Sequence, residues 1–393
     1  MMRALTGERA AAMRFILCLG VVSLFADMTY EGAQGIIGPY LKELGATGAQ
    51  VGLIAGLGEM FGASLRLFSG KLADKTGAYW TITILGYGVN VLAVPLLALA
   101  GNWQTAALLV VVERTGKALR GGARDVLLSE ATAKVGHGWG FGIHGAFDQA
   151  GAMIGPLLMW IAVAQTNHFA PAFLWLGIPA VLSVTSLFVA RLAYPAKGEA
   201  PTTPAPKHLP NVFWLYCAAA GVLACGYADF PLLSYHFESL AATAPSTIPL
   251  LYAGAMGLVG LSGLVAGRLF DKYGVVVLCA GILVSALSLP FGFLWAGPGV
   301  FASVFCWAIG LGVQDATMRA SISHVVSMKK RGTGFGYFQF IHGICWFLGS
   351  TVMGLLYDRS LLALVAFGVI LQLIAAAMFL SLRPKLDAAQ QTT

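Results

Sequence analysis

Asp27 and Glu31 stand four residues apart in the run VVSLFADMTYEGAQGIIGP, which is otherwise almost free of charge. At about 100° per residue, a helix places Ser23, Asp27, Tyr30, Glu31 and Gln34 on one stripe. Two carboxylates on an apolar helix repel each other and lose hydration, which favours holding a proton between them. That is the requirement for a proton-coupling site, and the same pair could instead hold a cationic group. The bland alternative is a structural ion pair with a neighbouring helix.

A second concentration of charge lies in VVVERTGKALRGGARDVLLSEA, where Glu113, Lys117, Arg120 and Arg124 recur at helical spacing. They fall within about 60° of arc, with Arg114 and Asp125 further round and Val111, Leu119 and Val126 opposite. Depth divides this stripe into Glu113, Arg114 and Lys117 for binding or coupling, and Arg120 and Arg124 for a gate near the helix end. Other ionisable or amide groups interrupt apolar runs at Glu59, Asp148, Asp229, His236, Gln314 and His342. Such groups are costly inside a membrane, so each is a candidate substrate contact, together with Tyr30 and Gln34. His144 shares a helical face with Asp148. Cys225, Asp229 and His236 share another, where Pro231 should kink the helix. Asp27, Glu31, Asp229 and His236 have donor types that suit a divalent cation. Their spacing matches no metal motif and basic residues stand nearby, so neither a resident metal nor another cofactor is expected.

The elements that must position these groups are membrane helices. The chain has 393 residues, of which 58% are hydrophobic and 10% charged, and its mean hydropathy is +0.78. A helical span needs about 20 mostly apolar residues. Twelve candidates centre near residues 25, 60, 90, 114, 150, 181, 223, 257, 285, 311, 344 and 371. They leave no room for a large soluble domain, and the short alternating segments of a β-barrel are missing. Lys and Arg cluster before the first span, in the loops after even spans and in the C-terminal tail, whereas the opposite loops hold only Lys42 and Arg359. This bias predicts a multi-pass protein of the cytoplasmic (inner) membrane with both termini in the cytoplasm. It also accounts for the net charge of +7 without a nucleic-acid partner, because the basic residues form no single patch. The N-terminus resembles a signal peptide, but the apolar run continues into Asp27 and Glu31 without a small-residue cleavage site, so a retained first helix is expected. Six cysteines are scattered through the spans without a CxxC pair, which suits packed, reduced thiols.

One segment breaks the apolar pattern. YPAKGEAPTTPAPKHLP, with five prolines, marks a cytoplasmic linker over 195–210 between an N-terminal bundle at 1–194 and a C-terminal bundle at 211–393. The halves echo each other. GKLADKTG (Gly70–Gly77) recurs as GRLFDKYG (Gly267–Gly274), FAD ending at Asp27 as YAD ending at Asp229, and SEATAKVGHGWGFG (Ser129–Gly142) aligns without gaps on SHVVSMKKRGTGFG (Ser323–Gly336). Three matches in the same order indicate a duplicated six-span unit, an architecture of secondary transporters.

The two six-span halves, the central linker and the paired Gly-x-Leu-x-Asp-Lys-x-Gly loops together resemble the major facilitator superfamily over essentially the whole chain. The resemblance implies an all-α membrane protein of twelve transmembrane helices in two six-helix bundles related by a pseudo-twofold repeat, working by alternating access. It implies that span 1 lines the central cavity, and that Arg114 matches the family's span-4 arginine although Ala118 replaces its glycine. It implies gating roles for Asp74 and Asp271. Asp74 would dock at the N-terminus of span 11 with Arg120 or Arg124 completing the cluster, and Asp271 near Gly138–Gly142 with Arg319 close by. Gly142, Gly151, Gly155 and Pro156 resemble the start of the family's antiporter signature in span 5, which Met159 and Trp160 then leave.

A secondary transporter of a small molecule is therefore expected, acting as a functional monomer in the lipid bilayer, with proton-coupled efflux by antiport favoured. Symport or import of an organic anion, bound by Arg114 and Lys117, is an alternative, and divalent-cation transport another. An enzyme is not expected, since no HExxH or GxSxG occurs and the histidines are dispersed. ATP drive lacks a GxxxxGK[ST] loop. A receptor on the same fold would bind ligand without moving it.

Overall fold

The computed structural model describes residues 2–135, 137–193, 209–240, 244–326 and 331–391, and these are helical apart from short turns. In chain order the helices are α1 (Met2–Glu43), α2 (Gly48–Thr76), α3 (Tyr79–Leu96), α4 (Trp103–Val135), α5 (His137–Thr166), α6 (Phe169–Ala172), α7 (Gly177–Ala193) and α8 (Asn211–Gly226). They continue as α9 (Phe230–Ser239), α10 (Thr247–Tyr273), α11 (Val275–Ala286), α12 (Ser288–Leu294), α13 (Pro298–Val325), α14 (Arg331–Tyr357) and α15 (Leu361–Gln391). Three spans come in two pieces: α6 with α7, α8 with α9, and α11 with α12. That gives twelve crossings in two six-helix bundles, and an even number returns the chain to the end where it began. This end is called proximal below, and the opposite end distal.

Ten described helical stretches are long and apolar enough to cross a membrane. The helix α4 is not among them, although it has 33 residues. Glu113, Arg114, Lys117 and Arg120 lower its hydropathy, so only a protein interior can hold it at membrane depth. Large apolar side chains such as Leu99, Leu192 and Leu264 are instead exposed around the outside, as a lipid-facing surface requires.

The repeat is visible in how helices end and touch. Both loop motifs finish on a glycine with positive φ, Gly77 at 65° and Gly274 at 61°. Each donates its N–H to a carbonyl four residues back, Ala73 and Phe270, so the last glycine of each motif closes a helix. Glycine also sets helix approach. A Cβ on Gly151 or Gly155 of α5 would collide with the Leu24 or Met28 carbonyl of α1, and one on Gly349 of α14 with the Cys225 carbonyl of α8. Gly155 and Gly349 hold matching places in the two halves. Small residues thus bring α1 onto α5 and α8 onto α14 backbone to backbone.

The halves meet mainly toward the distal end. Gly52 and Gly56 of α2 press on Ser350, Gly354 and Phe347 of α14, and Gly38 of α1 presses on Pro231 of α9. At mid-depth Gly343 of α14 still presses on Ala63 of α2, whereas nearer the proximal end Gly142 and Gly267 have open space where a Cβ would point.

Candidate functional site

The α4 stripe faces α1, α2 and α3, and four ion pairs and two further hydrogen bonds organise it. Arg114 Nη1 lies 3.0 Å from Glu59 of α2, and its Nε 3.6 Å from Glu113. Glu113 in turn accepts a hydrogen bond from Asn90 Nδ2 of α3 at 2.5 Å. About two turns on, Arg120 donates to Asp27 of α1 at 3.2 Å, and its guanidinium lies 4.4 Å from the centre of the Tyr87 ring. Arg124 donates to Asp125 at 2.8 Å and to Ser23 Oγ at 3.3 Å. The sequence pattern placed Arg120 and Arg124 at the proximal gate. In the structure both turn inward onto the Asp27 stripe of α1, because the polar face of α4 packs against that helix.

Tyr30 forms the floor beside this cluster. Its ring lies under Lys117 Nζ at 3.2 Å and under the Arg114 guanidinium at 4.7 Å. Lys117 makes no ion pair among the described residues, whereas Arg114 and Arg120 each have a carboxylate. The Glu59 side chain remains 41% exposed despite its bond to Arg114, so it opens onto the space between the halves. Gln34 is half-buried on the same α1 stripe. Asp148 pairs with His144 at 3.4 Å within α5, on the side of that helix turned to α1.

Glu31 differs from Asp27 in reaching across to the other half. Tyr252 of α10 donates its hydroxyl to Glu31 Oε2 at 2.7 Å. Beside it, Gln149 Nε2 of α5 donates to the Met256 carbonyl of α10 at 2.6 Å. Both are polar contacts between the bundles.

In the second half, Cys225, Asp229 and His236 do share a direction, and that direction is α14. Cys225 Sγ donates to the Cys345 carbonyl at 3.0 Å. Asp229 accepts from Trp346 Nε1 and Ser350 Oγ. His236 Nδ1 is 2.9 Å from the Tyr357 hydroxyl. The expected kink is a full break between α8 and α9, with Pro231 in the first turn of α9, where its missing N–H costs nothing. Asp229 flanks that break, and its carboxylate goes to α14 rather than capping α9. His342 packs between the rings of Phe338 and Trp346. Gln314 is buried on α13, and its Nε2 has no hydrogen-bond partner among the described residues.

The divalent-cation set does not converge. Asp229 and His236 are engaged by α14 and Asp27 by Arg120. Among the described residues no group of three or more His, Cys, Asp or Glu is placed to hold a metal ion. Of the span-5 glycines, Gly151 and Gly155 make the α1 contact, with Pro156 buried beside them, but Gly142 is exposed and a Cβ there would point into open space. Among the gate candidates, Asp271 is exposed and forms no ion pair with a described residue. The side chains of Asp74 and Arg319 lie outside the described residues, as does most of the 195–210 linker.

Sequence reasoning missed Asn90, Tyr87, Tyr252, Trp346 and Ser350. A lone amide in the run YGVNVL was a usable signal for Asn90. The others are residue types common in any apolar helix, and only the neighbour across the gap marks them.

Comparison with known proteins agrees with this geometry. The Major Facilitator Superfamily model matches residues 19–350. An uncharacterized protein of Mycobacterium tuberculosis (strain H37Rv) is 39% identical over 388 residues, 96% of this chain and 95% of its own. An uncharacterized MFS-type transporter of Methanocaldococcus jannaschii is 26% identical over 93% of this chain and 94% of its own. A variant of the nucleoside transporter NupG superposes with a TM-score of 0.76 at 14% identity, covering 93% of this chain and all of that one, which is a likeness of fold.

Proposed function

Because the chain belongs to the major facilitator superfamily, we propose that this secondary transporter exchanges a small molecule for protons, with Glu31 linking protonation to the movement of the two halves. The observation that carries this reading is the 2.7 Å bond from Tyr252 to Glu31. A carboxylate at the boundary between two moving bodies changes their contact when it gains or loses a proton. Asp27 is held within one half by Arg120, so its charge bears on the internal packing of that half. Glu59, open to the central space, gives a second carboxylate that could hold a proton and a cationic group in turn, which is the logic of antiport. The Lys and Arg bias puts the termini in the cytoplasm. With the halves meeting distally, the state described is then open inward, and the exposed, undocked Asp271 fits an open cytoplasmic gate. The bundles at 1–194 and 211–393 would rock about the 195–210 linker, and one chain supplies the whole pathway.

Lys117 supports a second reading, symport of an organic anion. Its ammonium lies on the Tyr30 ring with no carboxylate partner among the described residues, so it is available to a substrate carboxylate or phosphate.

A thermal-shift screen of cationic, zwitterionic and anionic metabolites on purified protein identifies a ligand, which is then followed in proteoliposomes. Glu31→Gln should abolish accumulation driven by a pH gradient yet leave counterflow exchange intact. Undiminished proton-driven accumulation would remove Glu31 from this role. A ligand whose binding is lost in Lys117→Ala, with uptake in the direction of proton flow, would select the symport reading.

A further inference from the structure

The distal end of α2 is held by a carboxylate from the other half of the protein. Asp358, just past the end of α14, accepts hydrogen bonds from the Gly48 N–H at 3.0 Å and the Ala49 N–H at 2.9 Å. These are the first two residues of α2, whose N–H groups have no partner within their own helix. Thr47 caps the next position by accepting from Gln50 N, so the two halves divide the donors of one helix terminus between them. The fit requires glycine at 48, since a Cβ there would lie 2.8 Å from Asp358 Oδ1 and would collide with the Tyr357 ring. Tyr357 is fixed in turn by His236, and its ring meets Tyr235 edge to face at 5.5 Å. Tyr235 itself donates to the Ala46 carbonyl at 3.1 Å, at the turn that leads into α2.

We propose that Asp358 is the carboxylate of a distal latch, docking α14 onto the N-terminus of α2 in the inward-open state and leaving it when the distal side opens. The latch combines a charge-assisted pair of hydrogen bonds with a favourable helix dipole, at the point where rocking would separate the two helices most. It biases which state the resting protein occupies and leaves the substrate contacts unchanged. The inference rests on the alternating-access reading, but its test needs neither substrate nor proton gradient.

The test is hydrogen exchange by mass spectrometry on the full-length protein in lipid nanodiscs. Asp358→Ala should speed exchange well beyond the cap itself, along 50–56 of α2 and 347–354 of α14. The first turns of α14 at the proximal end should slow, because opening one end closes the other. About a tenfold shift in the balance of states is expected, which corresponds to about 1.4 kcal/mol. Asp358→Asn offers one acceptor oxygen for two N–H groups and should give a smaller shift of the same sign. Gly48→Ala keeps the carboxylate but displaces it, and should mimic Asp358→Ala. Faster exchange confined to residues 48 and 49 would reduce Asp358 to a local cap and overturn the latch. Faster exchange at both ends would mean general loosening and overturn it too. Loss of proton-driven transport in Glu31→Gln has no bearing on these rates, so the two readings fail separately.

Discussion

Replacing Asp27 by Asn removes the carboxylate 3.2 Å from Arg120 and leaves a guanidinium whose side chain is only 3% exposed. Its remaining described contact is the Tyr87 ring at 4.4 Å, and its Nε and Nη1 have no hydrogen-bond partner among the described residues. Breaking a buried ion pair from one side costs roughly 3–5 kcal/mol, mostly because the surviving charge stays desolvated. The Asp27 side chain is 16% exposed and is bonded through one guanidinium nitrogen, so it keeps some hydration. The low end, about 3 kcal/mol, is therefore expected for Asp27→Asn and for Arg120→Gln alike. The double variant removes both charges and places two neutral amides side by side. Its loss should fall short of the sum of the single losses by about 2 kcal/mol or more, within the range for residues in direct contact. The assay is reversible unfolding of the purified protein in mixed micelles, titrated with sodium dodecyl sulfate and followed by tryptophan fluorescence. If the two losses add within about 0.5 kcal/mol, the residues are independent and the pair does not organise the α1–α4 contact.

Two other perturbations read different parts of the reasoning. Gly151→Ala and Gly155→Ala should each destabilise the same unfolding transition by about 1–3 kcal/mol, since the new methyl meets an α1 carbonyl, while Gly142→Ala should leave it unchanged. Equal effects at all three positions would mean that the α1–α5 approach does not depend on these glycines. Tyr252→Phe deletes the hydroxyl that bridges the halves. It should weaken their contact by about 1 kcal/mol and speed amide exchange in α10 around residue 252, with no change inside the α1–α4 cluster.

Much of the architecture was legible because the bilayer leaves few choices. Twelve apolar runs, a Pro-rich break and three repeated motifs give the number of crossings and the duplication. The closing glycines of GKLADKTG and GRLFDKYG both take a positive φ, as their place after a helix implies. The α4 stripe was equally legible, since helical spacing gathers Glu113, Lys117, Arg120 and Arg124 on one side whatever stands opposite. Pro231 marked the weak point of span 7, and the structure breaks there.

Helical spacing gives the direction in which a side chain leaves its own helix and is silent about the helix it meets. Arg120 suited the gate by depth, yet it bonds to Asp27, 93 residues earlier in the chain. Asp229 and His236 stood as candidate substrate contacts, yet with Cys225 they fasten α8 and α9 to α14. Glu31 and Asp27 looked equivalent, and only Tyr252 of the other half separates them. Asp358 carried no signal at all, because its partners are backbone N–H groups 309 and 310 residues away. By itself the sequence determined the spans, the duplication and the charged face of each helix, since lipid and 3.6-residue periodicity act locally. Only the tertiary structure decided which charge meets which, because that depends on where glycines let distant backbones come close enough to touch.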